Sequence, residues 1–344
     1  MSGTSPRILL VNQNWLGDVL FSTPAIRALR KKFPEGFIAC LVPERCRQAL
    51  AQNPYLDEVI VYDERAFLFS WKTLRLVAAL RRRRFDKAIF LHRSRTKVRL
   101  ARWAGIPERW GYASKRGQRD LTRAVPVPVV KSHKTDFFLK LLEDCGIPAD
   151  GRTTDFFPKK EAEGELKELF DGLGIALGAP YAVVHAGGNW ELKRWPADFF
   201  VRWARIFLKK YPWRIILCGT ARETALCNSI ASSFKNGELV PVCGKTSLDA
   251  LALLLKNAKI LVSNDSGPIH LAASQNTKIL GLFGPTSPDE TGPVSAAPLK
   301  ILRKDVGCDV PCYYRSCNYR VCMEWLTPEE VFAATEELLN AHPR

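Results

Sequence analysis

The sequence predicts an α/β protein made of two Rossmann-like domains, each built on a parallel sheet. Short apolar runs alternate with helical stretches along most of the 344 residues. The alternation falls into two series on either side of residues 148–160, which contain Gly151 and Pro158 and show no helical periodicity. Glycine-containing turns follow apolar runs in both series, where open parallel sheets bind their ligands. We therefore expect two domains that face a central cleft.

We place the first domain at residues 1–155 and the second at residues 156–325. Residues 326–344 are predicted to form a C-terminal helix that packs back towards the first domain. Its start, Thr327-Pro328-Glu329-Glu330, combines a capping residue, a proline at the first helical position and a capping-box glutamate.

In the first domain, residues 7–13 (RILLVNQ) are an apolar run typical of a central parallel strand. The turn Asn14–Asp18 follows, without the three-glycine dinucleotide fingerprint. Helical spacing begins next and stops at Pro34. Further strands are predicted over 37–42, 58–62 and 87–91, an extended segment over 124–130, and helices over 19–34, 45–52, 71–84, 97–103 and 134–145.

In the second domain, strands are predicted over 181–185, 214–218, 260–263 and 278–283, and helices over 162–173, 197–210, 223–234, 248–257 and 268–274. The stretch 260–288 carries two polar turns from neighbouring strands. Asp265 in the first turn is a candidate acceptor for sugar or ribose hydroxyls. The amides of Ser266 and Gly267 open a helix, whose positive end suits a phosphate. The alternative is an ordinary strand, turn and helix in which Asp265 caps the helix.

The net charge of +16 is concentrated in the first 150 residues, which carry 28 Lys/Arg against 14 Asp/Glu. The segment Arg65–Arg123 alone has 18 basic and 3 acidic residues. An anionic partner is expected: nucleic acid, an anionic membrane surface or a phosphorylated acceptor. Alternatively, Arg81–Arg84 is the solvated end of a helix. No apolar run has the length of a transmembrane helix or of a signal peptide core, so we expect a cytoplasmic or peripheral protein.

The candidate reactive groups suit displacement of a nucleoside diphosphate from a sugar. Asp18 is a candidate general base for the acceptor hydroxyl, and Lys193 a candidate for taking up charge on the diphosphate. The pair Gly187-Gly188 lets a phosphate approach the backbone. Because the chain contains no Asp-x-Asp, we expect no metal ion and assign its role to Lys193. The alternatives are a helix cap for Asp18 and a surface lysine for Lys193.

Several of these motifs together resemble glycosyltransferase family 9, the lipopolysaccharide heptosyltransferases, and are closest to its heptosyltransferase II branch. They follow the family's order from residue 7 to about residue 335. The motifs are Asn14-x-x-Gly17-Asp18 before Pro24-Ala25, His185-x-Gly-Gly, Lys193-Arg194-Trp195-Pro196, Asn264-Asp265-Ser266-Gly267-x-x-His270 and Gly284-Pro285-Thr286-Ser287-Pro288.

The resemblance implies a GT-B fold and an inverting, metal-independent transfer of heptose from ADP-heptose to the inner core of lipopolysaccharide. It implies no cofactor, a monomer, no nucleic acid partner, and an anionic core acceptor at the inner face of the cytoplasmic membrane. The first domain would bind the acceptor and the second the donor, with Asp18 and Lys193 catalytic. The implied donor residues are Gly187, Gly188, Asn189, Lys193, Asp265, Ser266, Gly267, His270 and Thr286. The expected acceptor residues are Asn14, Gly17, His92, Arg93 and Arg95.

Other interpretations remain open. The chain departs from the family pattern in Trp190 and around Trp15, which leaves the distal donor contacts and the acceptor undecided. A family member that uses another nucleotide sugar, or another cell-surface glycan as acceptor, is the first alternative. A nucleic-acid-binding protein is the second, although the basic segment contains no recognised binding motif. His270 is equally well explained as a core histidine.

Four of the ten cysteines, Cys308, Cys312, Cys317 and Cys322, cluster near the end of the chain with spacings of four, five and five. Structural zinc sites use tighter Cys-x-x-Cys pairs, and a reducing cytoplasm disfavours disulfides. We favour reduced thiols that pack a loop over a structural metal site or a redox pair.

Overall fold

The computed structural model describes residues 5–67, 70–113, 118–235, 237–312, 314 and 316–341. The chain separates into two compact units, residues 1–156 and 157–344. Each unit is an α/β structure with its own parallel sheet and its own buried core.

The described part of the first unit contains a six-stranded parallel sheet. Its strands are β1 (Arg7–Val11), β2 (Phe37–Pro43), β3 (Glu58–Tyr62), β4 (Lys87–Phe90), β5 (Glu108–Tyr112) and β6 (Arg123–Val125), in the spatial order β3-β2-β1-β4-β5-β6. Its helices are α1 (Leu16–Phe21), α2 (Thr23–Lys32), α3 (Arg47–Leu50), α4 (Trp71–Arg82), α5 (Arg95–Trp103) and α6 (Lys134–Asp144). In β1 and β2 nearly every residue is buried, as expected of central parallel strands. Separate apolar clusters cover the two faces of the sheet.

The second unit repeats this plan in its described residues, with six parallel strands in the order β12-β11-β10-β7-β8-β9. The strands are β7 (Tyr181–His185), β8 (Arg214–Leu217), β9 (Leu239–Pro241), β10 (Ile260–Asn264), β11 (Ile279–Phe283) and β12 (Leu299–Arg303). The helices are α7 (Ala162–Leu173), α8 (Ala197–Lys210), α9 (Thr224–Ala231), α10 (Leu248–Asn257), α11 (Gly267–Ser274), α12 (Pro288–Thr291), α13 (Val321–Glu324) and α14 (Pro328–Asn340). The neighbouring strands β7, β10 and β11 are fully buried, and their carboxyl ends lie side by side.

The strands that the sequence analysis missed lie towards the edges of the two sheets. β5 and β12 are only partly buried, and β6 and β9 have three residues each, so none of the four has a long apolar run. Of these, β6 overlaps the start of the extended segment predicted over 124–130. The helix predicted over 19–34 is divided into α1 and α2 at Ser22. The Ser22 hydroxyl donates to the carbonyl of Val19, and its amide donates to the same carbonyl at the end of α1.

The C-terminal helix α14 buries its apolar face in the second unit. Its predicted packing towards the first domain stays a prediction. Val331, Ala334 and Leu338 join the core of that unit, and the helix contacts α8 and strands β10 to β12. The predicted capping box is present, since Thr327 and Glu330 bond reciprocally at the helix start.

Candidate functional site

The predicted base, Asp18, lies in the first turn of α1, directly after the loop that follows β1. Its side chain is 17% exposed, and its Oδ1 accepts a hydrogen bond of 2.5 Å from the ammonium of Lys134. The N-cap of α1 is Trp15, so Asp18 is not the capping residue. Gly17 is its neighbour in the same turn. The carboxylate is therefore partly exposed and balanced by one lysine, which leaves its second oxygen available for a substrate.

Asn14 anchors the same loop. Its side-chain oxygen accepts hydrogen bonds from Lys97 Nζ at 2.9 Å and from the Tyr62 hydroxyl at 2.8 Å. Its backbone carbonyl accepts from Arg45 Nε at 2.7 Å. Asn14 is thus held by three different elements, and it fixes the position of the loop that leads to Asp18.

The predicted acceptor residues His92, Arg93 and Arg95 lie where β4 ends and α5 begins. Arg93 and Arg95 are exposed, whereas His92 is half-buried. Burial and, after it, the nearby charge of Lys97 together lower the pKa of His92 to about 4. His92 is consequently neutral at pH 7, and the positive charge of this segment comes from its arginines and from Lys97.

In the second unit, the glycine loop follows β7, and a carboxylate lies directly against it. A Cβ added to Gly187 would lie 1.7 Å from Oε1 of Glu223, so a side chain there would displace this carboxylate. Gly188 has a φ of +147°, which favours glycine, and its amide donates to Glu223 Oε1 at 2.8 Å. Asn189 is exposed beyond this pair. Glu223 therefore determines the conformation of the glycine loop.

Glu223 is charged throughout the physiological range. Burial alone would raise the pKa of its carboxyl, but the hydrogen bonds from His185 and Thr220 outweigh burial and lower that pKa to about 2. His185 Nε2 lies 3.4 Å from Glu223 Oε1, and its Nδ1 lies 2.9 Å from the hydroxyl of Ser266. A chain of polar contacts thus links the glycine loop to the start of α11.

Lys193, Asp265 and Thr286 meet at the carboxyl ends of three neighbouring strands. Asp265 directly follows β10 and is 5% exposed. Its Oδ2 accepts from Lys193 Nζ and from Thr286 Oγ1, each at 2.6 Å. An ammonium carries three donors, so Lys193 retains donors for a ligand after this ion pair is made. Lys193 is therefore half-buried and paired with a buried carboxylate, and its role at the diphosphate stays a prediction.

The remaining predicted donor residues belong to α11. Ser266 precedes the helix in an extended conformation, and Gly267 is its first residue. Their amides lie at the positive end of an eight-residue helix, the position expected for an anion. His270 lies within the helix and is 6% exposed, so it faces the interior of the unit. Its burial fits the core interpretation, and its role as a donor contact stays a prediction.

Sequence reasoning missed three polar residues of these sites. Lys134 pairs with Asp18 across 116 positions, and no motif surrounds it. Glu223 was predicted only as the first residue of a helix. The structure shows that it also forms a capping box with Thr220. Asn264 donates to the carbonyls of Ala186 and Gly187 and so ties β10 to the glycine loop. The motif that contains Asn264 was the only available signal for it.

The clustered cysteines are free thiols. Cys308, Cys312, Cys317 and Cys322 line one small apolar pocket, and the amide of Cys312 donates to the carbonyl of Pro285 at 2.7 Å. Within the described ranges, no group of three or more His, Cys, Asp or Glu side chains is arranged to hold a metal ion. The arrangement fits thiols that pack a loop, the interpretation favoured from the sequence.

None of the helices in the described part of the chain combines the length and the apolar character needed to cross a bilayer.

Comparisons with known proteins identify one family. The model of "Glycosyltransferase family 9 (heptosyltransferase)" matches residues 73–320. The lipopolysaccharide heptosyltransferase 2 of Escherichia coli K12 is 28% identical over 306 residues, which cover 84% of this chain and 86% of that protein. Among solved structures, the ADP-heptose lipopolysaccharide heptosyltransferase II of E. coli superposes with a TM-score of 0.79 at 24% identity. The match covers 97% of this chain and 98% of that protein. A solved family 9 glycosyltransferase from Veillonella parvula gives a TM-score of 0.87 at 24% identity, over 98% of each chain.

These matches confirm the predicted fold class, a GT-B type α/β protein with two Rossmann-like domains. They also confirm the family resemblance seen in the motifs and the prediction of a glycosyltransferase.

Proposed function

This chain belongs to glycosyltransferase family 9, and we propose that it transfers heptose from ADP-heptose to the inner core of lipopolysaccharide. We propose further that the transfer inverts the anomeric carbon and needs no metal ion. The 28% identity to a lipopolysaccharide heptosyltransferase over most of both chains supports the choice of substrates. The observation that carries the chemistry is the cluster of Lys193, Asp265 and Thr286 beside the glycine loop.

The second unit binds the donor in this proposal. The ammonium of Lys193 and the amides of Ser266 and Gly267 hold the diphosphate and stabilise the charge that grows on it as the sugar–phosphate bond breaks. The carboxylate of Asp265 accepts hydrogen bonds from heptose hydroxyls through the oxygen that Lys193 and Thr286 leave open. Lys193 supplies the positive charge that a metal ion supplies in other transferases, which supports metal independence.

The first unit binds the acceptor and supplies the base. An acceptor hydroxyl attacks the anomeric carbon, and its proton passes to Asp18 as the new bond forms. The diphosphate leaves on the opposite face of the sugar, so a single displacement inverts the configuration. The partial exposure of the Asp18 side chain supports this role, since Lys134 bonds to Oδ1.

The acceptor of this reaction is a lipid-linked saccharide, so the proposal includes peripheral association with the inner face of the cytoplasmic membrane. The excess of 28 Lys/Arg over 14 Asp/Glu in the first 150 residues supports contact with an anionic acceptor and with anionic lipids.

Nucleotide binding tests the donor half of the proposal. Calorimetry in buffer with EDTA is expected to show that ADP binds at least about 10-fold more tightly than GDP or UDP, equivalent to about 1.4 kcal/mol. A preference for GDP or UDP would retain the glycosyltransferase and overturn the ADP-sugar donor. Binding of none of the three would contradict a nucleotide site in the second unit.

A further inference from the structure

The first unit contains a large cavity next to the predicted acceptor residues Asn14 and His92, and no ligand group has yet been assigned to it. Its volume is about 750 Å³, and it lies between β3, α4 and the start of α5. Five Lys/Arg and three Asp/Glu side chains line it, together with His92 and Asn14. Its lining is therefore positively charged overall.

Lys97 is the most buried cation of this lining. The residue is 8% exposed, and its ammonium donates to the carbonyl of Asn12 at 3.2 Å and to Asn14 Oδ1 at 2.9 Å. It also lies 4.7 Å from the centre of the Tyr62 ring. None of these partners is charged, and the described residues offer it no carboxylate within ion-pair distance. Burial lowers the pKa of Lys97 to about 8, and Glu64 acts on it only through longer-range attraction.

The three acidic residues of the lining form ion pairs with cations other than Lys97. Glu58 pairs with Arg83, Asp63 with Lys72 at 2.6 Å, and Glu64 with Arg45 at 2.6 Å. A buried charge that lacks a counter-ion is costly, and an anion bound beside it removes that cost. Lys97 is therefore the cation that gains most from an anionic ligand.

The start of α5 adds a second donor set to the same cavity. Ser94 is the N-cap and Thr96 lies in the first turn of this nine-residue helix, and both line the cavity. The amide of Lys97 donates to Ser94 Oγ at 3.4 Å, whereas the helix amides before it have no intrahelical acceptor, and the helix dipole favours negative charge there. Because Lys97 lies in the same first turn, its ammonium and these amides belong to one short segment.

We propose that this cavity binds a phosphate or carboxylate group, with Lys97 and the start of α5 as its principal donors. The identification of this anion as part of the saccharide acceptor rests on the proposed function. Lys97 also holds Asn14, four residues before Asp18, so an anion at Lys97 lies beside the loop that carries the base. The cavity would then select acceptors that carry an acidic group near the attacking hydroxyl.

Anion-dependent thermal stability tests the site without relying on catalysis. The full-length wild type and the Lys97→Met variant are melted with ADP present, in matched ionic strength, with chloride, inorganic phosphate or acetate. We expect phosphate or acetate to raise the Tm of the wild type, and we expect most of that increment to be lost in Lys97→Met. Lys72→Met is the matched control, since Lys72 lines the same cavity but is exposed and paired with Asp63.

The outcome is decided by the anion-induced increments in Tm and not by the absolute Tm values. A purely structural role of Lys97 would lower the absolute Tm of the variant but leave its increments unchanged. Equal increments in Lys97→Met and the wild type would overturn the anion site. A larger response to phosphate than to acetate identifies a phosphate site, and the reverse identifies a carboxylate site.

Steady-state kinetics test the assignment to the acceptor. Lys97→Met is expected to raise the acceptor KM by about 10-fold or more, because one charged hydrogen bond is lost, and to leave the donor KM unchanged. Lys97→Arg should recover part of the acceptor affinity. An unchanged acceptor KM in a variant that has lost its phosphate increment would overturn the acceptor assignment. If the wild type transfers no heptose, the proposed function fails, and the Tm increments still decide on the anion site.

Discussion

Replacing Asp18 with asparagine is expected to lower kcat by about 10²- to 10⁴-fold, the usual contribution of a positioned general base. Asparagine keeps the shape of the side chain and can accept the hydrogen bond from Lys134, but it cannot take the proton of the acceptor hydroxyl. ADP affinity should be unchanged, because Asp18 belongs to the first unit and the nucleotide residues to the second. Initial rates at saturating donor and acceptor measure the effect, and calorimetry with ADP measures the affinity.

Asp136→Asn provides the control for Asp18→Asn. Asp136 is also an acid in the first turn of a helix of the same unit, and it forms an ion pair with Arg152. Its replacement should leave kcat within about 2-fold of the wild type. Near-normal turnover by a folded Asp18→Asn variant would show that another group removes the proton.

Replacing Lys193 with methionine is expected to lower kcat by about 10²- to 10³-fold, similar to the loss of a strong donor to a developing anion. The diphosphate would lose the ammonium that balances its growing charge. This loss would destabilise the transition state more than the bound donor. Affinity for ADP should also fall, because the free nucleotide carries the same phosphates. Initial rates and ADP calorimetry measure the two effects on one preparation.

A structural effect of Lys193→Met must be separated from the loss of the phosphate contact. Asp265 is 5% exposed, so the variant leaves a buried carboxylate without its cation and destabilises the fold. The double variant Lys193→Met with Asp265→Asn removes both charges and should recover stability without recovering activity. Lys209→Met, at the exposed end of α8, is the lysine control. Wild-type rate and ADP affinity in a folded Lys193→Met variant would exclude the proposed role.

The central strands were predictable from sequence because burial on both faces leaves a continuous apolar run. Strand β1 and the strands β7, β10 and β11 satisfy this condition, and the motifs that follow them gave Asp18, Lys193 and Asp265. The edge strands β6, β9 and β12 could not be found in this way. They are short or half-buried, and their pairing depends on the neighbouring strand.

The partners of the site residues were not predictable, since tertiary structure brings them together. Lys134 meets Asp18, and Lys97 meets Asn14, across 116 and 83 positions of sequence. Lys97 appeared in the sequence only as one charge in a basic segment, and its burial could not be inferred from helical spacing. Glu223 appeared only as the first residue of a predicted helix, and its contact with the glycine loop depends on the order of β7 and β8 in the sheet.

A transfer assay tests the proposed reaction most directly. Purified protein is incubated in EDTA with ADP-heptose and lipopolysaccharide truncated within its inner core, and the product is analysed by mass spectrometry and by NMR of the new anomeric centre. We predict the addition of one heptose with inverted anomeric configuration, at a rate that EDTA does not change. Retention of configuration, dependence on an added metal ion, or transfer only from a different nucleotide sugar would contradict the proposal.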